Sequence, residues 1–355
     1  MDFLRSLPWQ YLAGLAAWLV AGFVALRQLL LWRRAFKANP ARRRMVHLGL
    51  SVWLLLCLLT LPELWCAFCY DETDSFSQTN VSKRWQSLHV VPNRDGYRDP
   101  RPLPRERLPG RTYLHFVGDS FTFGHGVKNV QDRFSDRVAV MLEQQSPSEY
   151  EVSNLGLPGL DVRQLTDGIL QDSIEDGVPF DEVIYTFVLN DIEYFDERTA
   201  AHYQELAKLS PRFPLFSQTY FYNLLWYRMQ VFGNPAAAGY YDYLQESYAG
   251  PPWDRLCAKL LELRQRCQDQ DAKLRIVIFP FLHRLKDDYA FAQAHQKLAQ
   301  FCNANEIPVI DLLPVLQPQA DAGLVVNRFD AHPNPLAHSL AAAAIFKGWY
   351  EKRSH

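Results

Sequence analysis

Four short stretches carry residue types that can do acyl chemistry. Gly118-Asp119-Ser120 offers a hydroxyl nucleophile, and Asn154-Leu-Gly-Leu-Pro-Gly159 offers glycine N–H groups on flexible backbone. Val188-Leu-Asn190-Asp191 offers a side-chain amide, and Phe329-Asp330-Ala-His332 offers an imidazole with a carboxylate two residues before it. A nucleophile, a base with an orienting acid, and donors for a developing oxyanion are the parts of serine acyl transfer. Each stretch alone has a plainer reading. Ser120 can cap a helix, Gly159 can serve a turn, Asn190-Asp191 can end a strand, and His332-Pro-Asn334 can open a helix. Their order along the chain is what points to chemistry.

The elements that must position them follow from the apolar runs. Thr112–Val117, Tyr150–Leu155, Glu182–Asn190, Leu274–Leu282 and Ile307–Leu313 read as five strands. Helical patterns fall at Phe134–Gln144, Val162–Ile174, Tyr289–Asn303 and Pro335–Tyr350. Continuous apolar strands alternating with helices predict an α/β fold with a mainly parallel sheet and helices on both faces. Chemistry in such sheets gathers beyond the carboxyl ends of the strands. The first three strands run into Ser120, Gly159 and Asn190, and His332 stands just before the last helix.

From Arg111 to Tyr350 the chain resembles the SGNH/GDSL hydrolase family in block order and spacing. The resemblance implies a three-layer α/β/α sandwich around a five-stranded sheet. It implies that Ser120 is the nucleophile and His332 the general base. It also implies an oxyanion hole built from the Ser120 N–H, the Gly159 N–H and the Asn190 side-chain amide. This chemistry needs no metal or organic cofactor. Two positions depart from the family pattern. Val188 stands where the third block has glycine, and Phe329 stands where the last block, Asp-x-x-His, has its acid. Asp330 is the available acid, and an extended chain would turn positions 330 and 332 the same way. A backbone carbonyl is the alternative partner for the imidazole. Asp119 and Asp191 are expected to hold loops, and His125 and His283 are expected to be structural or solvated rather than substrate contacts.

Competing motifs are missing. Gly124 and Gly126 have Asn129 where a dinucleotide-binding loop needs its third glycine, and no Walker A sequence occurs. Thr122 stands where a nucleophile elbow of the α/β-hydrolase type needs glycine.

The chain has 355 residues, 48% of them apolar and 21% charged, which excludes global disorder. Its net charge of −2 hides an asymmetry. Residues 1–70 carry eight Lys/Arg against two acids, whereas residues 71–355 carry 29 against 37. An acidic body argues against a nucleic-acid partner. The basic head contains two long apolar runs, about 11–32 and 46–68, and they read as membrane spans. A secretory signal or a buried helical hairpin is the competing reading. Between the runs, residues 33–44 hold six Lys/Arg, which predicts a cytoplasmic loop and an extracytoplasmic body. Residues 71–110 read as a polar connector and 111–355 as the hydrolase domain.

Residues 192–253 form an insertion of 62 residues with 16 aromatics, about twice the chain's average share. They either line the site, against sugars or an acyl chain, or form the core of a helical subdomain. Cys66-x-x-Cys69 reads as packing at the membrane edge, and either Cys257 or Cys267 could pair with Cys302. The functional expectation is a membrane-tethered extracytoplasmic serine esterase acting on acylated carbohydrate or another ester. An O-acyltransferase, a lipid esterase of the envelope and a non-catalytic glycan-binding module are the alternatives.

Overall fold

The computed structural model describes residues 6–207, 210–232, 239–285 and 288–352. The chain forms two compact units. One comprises Met1–Glu72, Phe76–Leu88 and Leu209–Gly233; the other comprises Thr73–Ser75, His89–Lys208 and Asn234–His355. Residues 208–209 and 233–238 of the aromatic insertion lie outside the described residues.

The larger unit holds a five-stranded sheet: β1 (Thr112–Gly118), β2 (Tyr150–Asn154), β3 (Glu182–Val188), β4 (Lys273–Phe279) and β5 (Val309–Asp311). All pairings are parallel, in the order β2-β1-β3-β4-β5. β1 and β3 are buried along nearly their whole length, which is why they read as apolar runs, interrupted only by the buried His115 and Thr186. Parallel neighbours require crossover connections, and helices supply them here. Helices Phe134–Gln145 and Pro335–Trp349 pack together, and helix Pro251–Gln268 packs on the helical stretch Val162–Glu175. The strand order reverses between β1 and β3, which opens a crevice at their carboxyl ends.

Several boundaries differ from expectation for local reasons. β4 stops at Phe279 because Pro280 has no N–H for the ladder. β3 stops at Val188, and Leu189–Phe195 turns into a 3₁₀ stretch. The helix expected from Tyr289 starts at Ala292. The sequence reading also missed a short antiparallel hairpin of β6 (Val325–Asn327) and β7 (Asp330–Pro333). The connector is not loose chain. It contains helix Asn80–His89, and Asp99 accepts the N–H of Asn154 at the end of β2 at 3.0 Å. All six cysteines are free thiols, so Cys302 pairs with neither Cys257 nor Cys267.

In the smaller unit, helices Trp9–Ala35 and Pro40–Phe68 are each long and apolar enough to cross a membrane. Their side chains mostly face outward. Two indole N–H groups bridge the helices: Trp53 Nε1 donates to the Gly22 carbonyl at 2.8 Å, and Trp18 Nε1 to Thr60 Oγ1 at 3.1 Å. Glu63, buried near the end of the second helix, accepts from Tyr11 Oη at 2.9 Å. It also accepts the N–H groups of Tyr220 and Phe221, both at 2.8 Å. That carboxylate caps the start of helix Phe221–Phe232, so this part of the aromatic insertion belongs with the apolar helices.

Candidate active site

The site is built on strand ends. β1 ends at Gly118, and Asp119 caps the one-turn helix Ser120–Phe123 by accepting the Phe121 N–H at 2.9 Å. This turn holds Ser120 half-exposed at the sheet edge. At the end of β2, Asn154 clamps the turn to its surroundings. Its Nδ2 donates to the Thr122 carbonyl and to Ser135 Oγ, both at 2.7 Å, and its Oδ1 accepts the Gly156 N–H at 2.9 Å. Gly156 lies so close to the nucleophile turn that an added Cβ would meet the Phe123 nitrogen at 2.3 Å. Gly159 sits in the left-handed region at φ 78° and stays solvent-exposed. Tyr194 Oη donates to its carbonyl at 3.1 Å. The 3₁₀ stretch after β3 carries Asn190, also half-exposed.

Ser120, His332 and Asp330 form a hydrogen-bonded relay. Ser120 Oγ is 2.7 Å from His332 Nε2, and His332 Nδ1 is 2.5 Å from Asp330 Oδ1. The extended backbone of β7 turns both side chains to one side, and Asp330 Oδ1 also accepts the His332 N–H at 3.1 Å. Burial works against charging His332, yet the facing Asp330 carboxylate outweighs it and raises the imidazole above its ordinary value. Burial likewise disfavours the Asp330 charge, but the His332 imidazole prevails and holds the carboxyl at about 2.

Among the described residues, no hydrogen bond engages the Ser120 N–H, the Gly159 N–H or the Asn190 carboxamide. Three uncommitted donors on the ends of β1, β2 and β3 can receive a developing negative charge. Asp119 and Asp191 are not links in the Ser120–His332–Asp330 chain of hydrogen bonds, although the Asp119 carboxylate faces Ser120 and His332. Asp119 caps its turn, and burial pushes it up to about 6. Asp191 is fully buried and accepts from Tyr185 Oη at 2.6 Å; burial and then the Asp119 charge hold it far above the carboxylate range.

His125 is buried against the relay, its ring centroid 4.5 Å from that of His332. Its Nε2 donates to the Asp74 carbonyl at 3.2 Å and lies 3.6 Å from Asp330 Oδ2. His283 packs instead against Tyr241 and Phe281. One donor atom each from His125, Asp330 and His332 lie within 4.8 Å of one another, a set that could hold a metal ion. Such an ion would have to break the Asp330–His332 hydrogen bond, so the set fits a relay better than a metal centre.

Two contributions had no signal that sequence reasoning used. Thr73, far from the strand ends in sequence, donates its hydroxyl to Asp330 Oδ2. Arg98, wholly buried, donates to the carbonyls of Gly124 at 2.8 Å and Val127 at 2.6 Å, which fixes the loop that carries His125. Its cluster of arginines in the connector was the available hint.

Residues 116–340 match the GDSL-like lipase/acylhydrolase family. Among solved structures, a lipolytic G-D-S-L family protein from Veillonella parvula is 13% identical over 68% of this chain and all of its own, with a TM-score of 0.43. Axe2, an acetylxylan esterase from Geobacillus stearothermophilus, is 15% identical over 70% of this chain and all of its own, with a TM-score of 0.44. No curated protein matches the chain in sequence. The match over most of the chain includes every residue of the relay, and the chain belongs to the GDSL-like lipase/acylhydrolase family as an ester hydrolase.

Proposed function

We propose that the protein is a membrane-tethered extracytoplasmic serine esterase that cleaves small acyl groups, acetyl among them, from a carbohydrate or another envelope ester. The observation that carries the reading is the continuous relay from Ser120 Oγ through His332 to Asp330, beside three uncommitted donors. Ser120 attacks the ester carbonyl carbon while His332 Nε2 takes its proton. The resulting oxyanion is received by the N–H groups of Ser120 and Gly159 and by the Asn190 amide. The tetrahedral intermediate collapses, and the imidazolium gives its proton to the departing alkoxide. Water then attacks the acyl-enzyme with His332 again as base, which releases the carboxylic acid and restores Ser120. Asp330 keeps Nδ1 protonated and steadies the imidazolium.

The preference for a small acyl group is supported by the rings around the relay. Phe121 lies tilted against the His332 imidazole with centroids 5.5 Å apart, and Phe279 meets Phe121 edge-on at the same spacing. The membrane tether is supported by the two apolar helices, and the orientation by the basic residues between them. A series of p-nitrophenyl esters tests the activity: acetate should turn over faster than octanoate. Faster turnover of octanoate would favour a lipid esterase. Acyl transfer to an added alcohol in preference to water would favour an acyltransferase.

A further inference from the structure

We propose that Thr73–Ser75, which follow the second apolar helix by only a few residues, act as an active-site strap, with Thr73 a positioning residue for Asp330. The inference rests on the reading of Ser120, His332 and Asp330 as the catalytic relay.

A carboxylate has two oxygens, and His332 engages only Oδ1 of Asp330. The Thr73 hydroxyl donates to the other, Oδ2. With both oxygens engaged, Asp330 cannot rotate about its terminal bond without losing a partner. The strap also grips the backbone on either side of Asp330. The Ser75 N–H donates to the Phe329 carbonyl at 3.2 Å, and Ser75 Oγ accepts the Ala331 N–H at 3.0 Å. Asn327 Nδ2 donates to the Thr73 carbonyl at 3.2 Å, and the Asp74 carbonyl takes His125 Nε2–H.

This arrangement answers a physical need. β6 and β7 span three and four residues, and a two-stranded hairpin of that length is marginal alone. Phe329 and Ala331 are alternate residues, so their backbone groups face one edge of the hairpin, and Ser75 engages both, one through its backbone N–H and one through its hydroxyl. Thr73 and Asp74 are themselves buried, at 5% and 3% exposed. The chain that leaves the second apolar helix is thereby part of the machinery that aims the general base.

The test uses the full chain with Thr73→Val and Thr73→Ser, beside Ser120→Ala. Valine keeps the shape of threonine and removes the donor. Thr73→Val should lower kcat about ten- to a hundred-fold at near-constant KM. Its acid limb of kcat/KM should move to higher pH, because a carboxylate stripped of a donor holds the His332 proton more tightly. Thr73→Ser, which keeps the hydroxyl, should recover most of the rate and the wild-type limb. A Thr73→Val enzyme with wild-type kcat and pH profile, or a serine variant as impaired as the valine one, would overturn the strap. If the valine variant does not fold, Ser75→Ala decides: a lowered kcat supports the strap, and wild-type kinetics overturn it. An active Ser120→Ala enzyme would instead reject the relay itself.

Discussion

The imidazoles of His125 and His332 lie 4.5 Å apart beside the same Asp330 carboxylate, and the protein drives their proton affinities in opposite directions. Burial, followed by the neighbouring His332, pushes His125 down to about 4, so it stays neutral at physiological pH. His332 is raised by Asp330 despite its burial. Two histidines at one carboxylate thus divide into one whose proton affinity is raised and one that stays neutral and holds backbone.

That division sets the pH dependence. General-base catalysis needs unprotonated His332, and its raised value means that protonation begins above the ordinary imidazole value near 6.5. The kcat/KM of the wild type should therefore fall as pH drops through a midpoint above 6.5. Asp330 stays ionised across that range, being held at about 2. Asp330→Asn removes the charge that raises His332, so the acid limb should move to lower pH. A limb unmoved by Asp330→Asn would show that Asp330 does not set the base.

The same variant reports the role of the acid in the rate. A neutral amide at position 330 favours the wrong imidazole tautomer, and in a tightly coupled triad this lowers kcat by up to about 10⁴-fold. Ser120→Ala and His332→Ala should be at least as impaired. If Asp330→Asn keeps most of the activity while the other two are inactive, the site operates as a Ser–His dyad.

Asn190→Ala tests the oxyanion donors. The Asn190 amide makes no hydrogen bond within the described protein, so its loss should leave stability intact. The kcat for a small ester should fall about 10²–10³-fold, the effect of deleting one such donor. Near-normal turnover by a stable variant would remove Asn190 from the mechanism.

The two loop glycines should fail in different ways. Gly156→Ala drives a Cβ to within 2.3 Å of the Phe123 nitrogen, a backbone atom that cannot swing aside. It should destabilise the fold by about 3 kcal/mol, the upper end for overpacking. Gly159→Ala meets only Tyr194 Oη, at 3.6 Å, but must keep φ at 78°. It should lose about 1–2 kcal/mol of stability and a larger share of its rate, because relief of that strain turns the N–H away. Thermal melts beside kcat for both variants check the contrast.

The sheet was legible because parallel strands covered on both faces are nearly continuous apolar runs, as in Val183–Val188, where Thr186 is the one polar residue. The stretch after β4 was overread because Phe281 and Leu282 are apolar, although Pro280 cannot join a ladder. Ser120, Gly159 and Asn190 could be proposed as a set because each lies within a few residues of a strand's carboxyl end. Asp330 could be weighed from alternation alone, since two positions apart on extended chain means one side. Thr73 was not legible. It stands 257 positions before Asp330 in a stretch that reads as a polar connector, and no local pattern records a contact of that range. His125 was seen as a histidine but not as a neighbour of Asp330, because its place depends on how the Arg98 guanidinium folds the loop around it.

The central claim is that Ser120 is a nucleophile activated by His332, and covalent labelling tests it most directly. The full-length protein would be treated with a fluorophosphonate and its peptides read by mass spectrometry. A single phosphonyl adduct on Ser120 is the predicted result, absent from Ser120→Ala and strongly slowed in His332→Ala. No adduct on Ser120 in folded wild-type protein, or undiminished labelling of Ser120→Ala at another residue, would contradict the account.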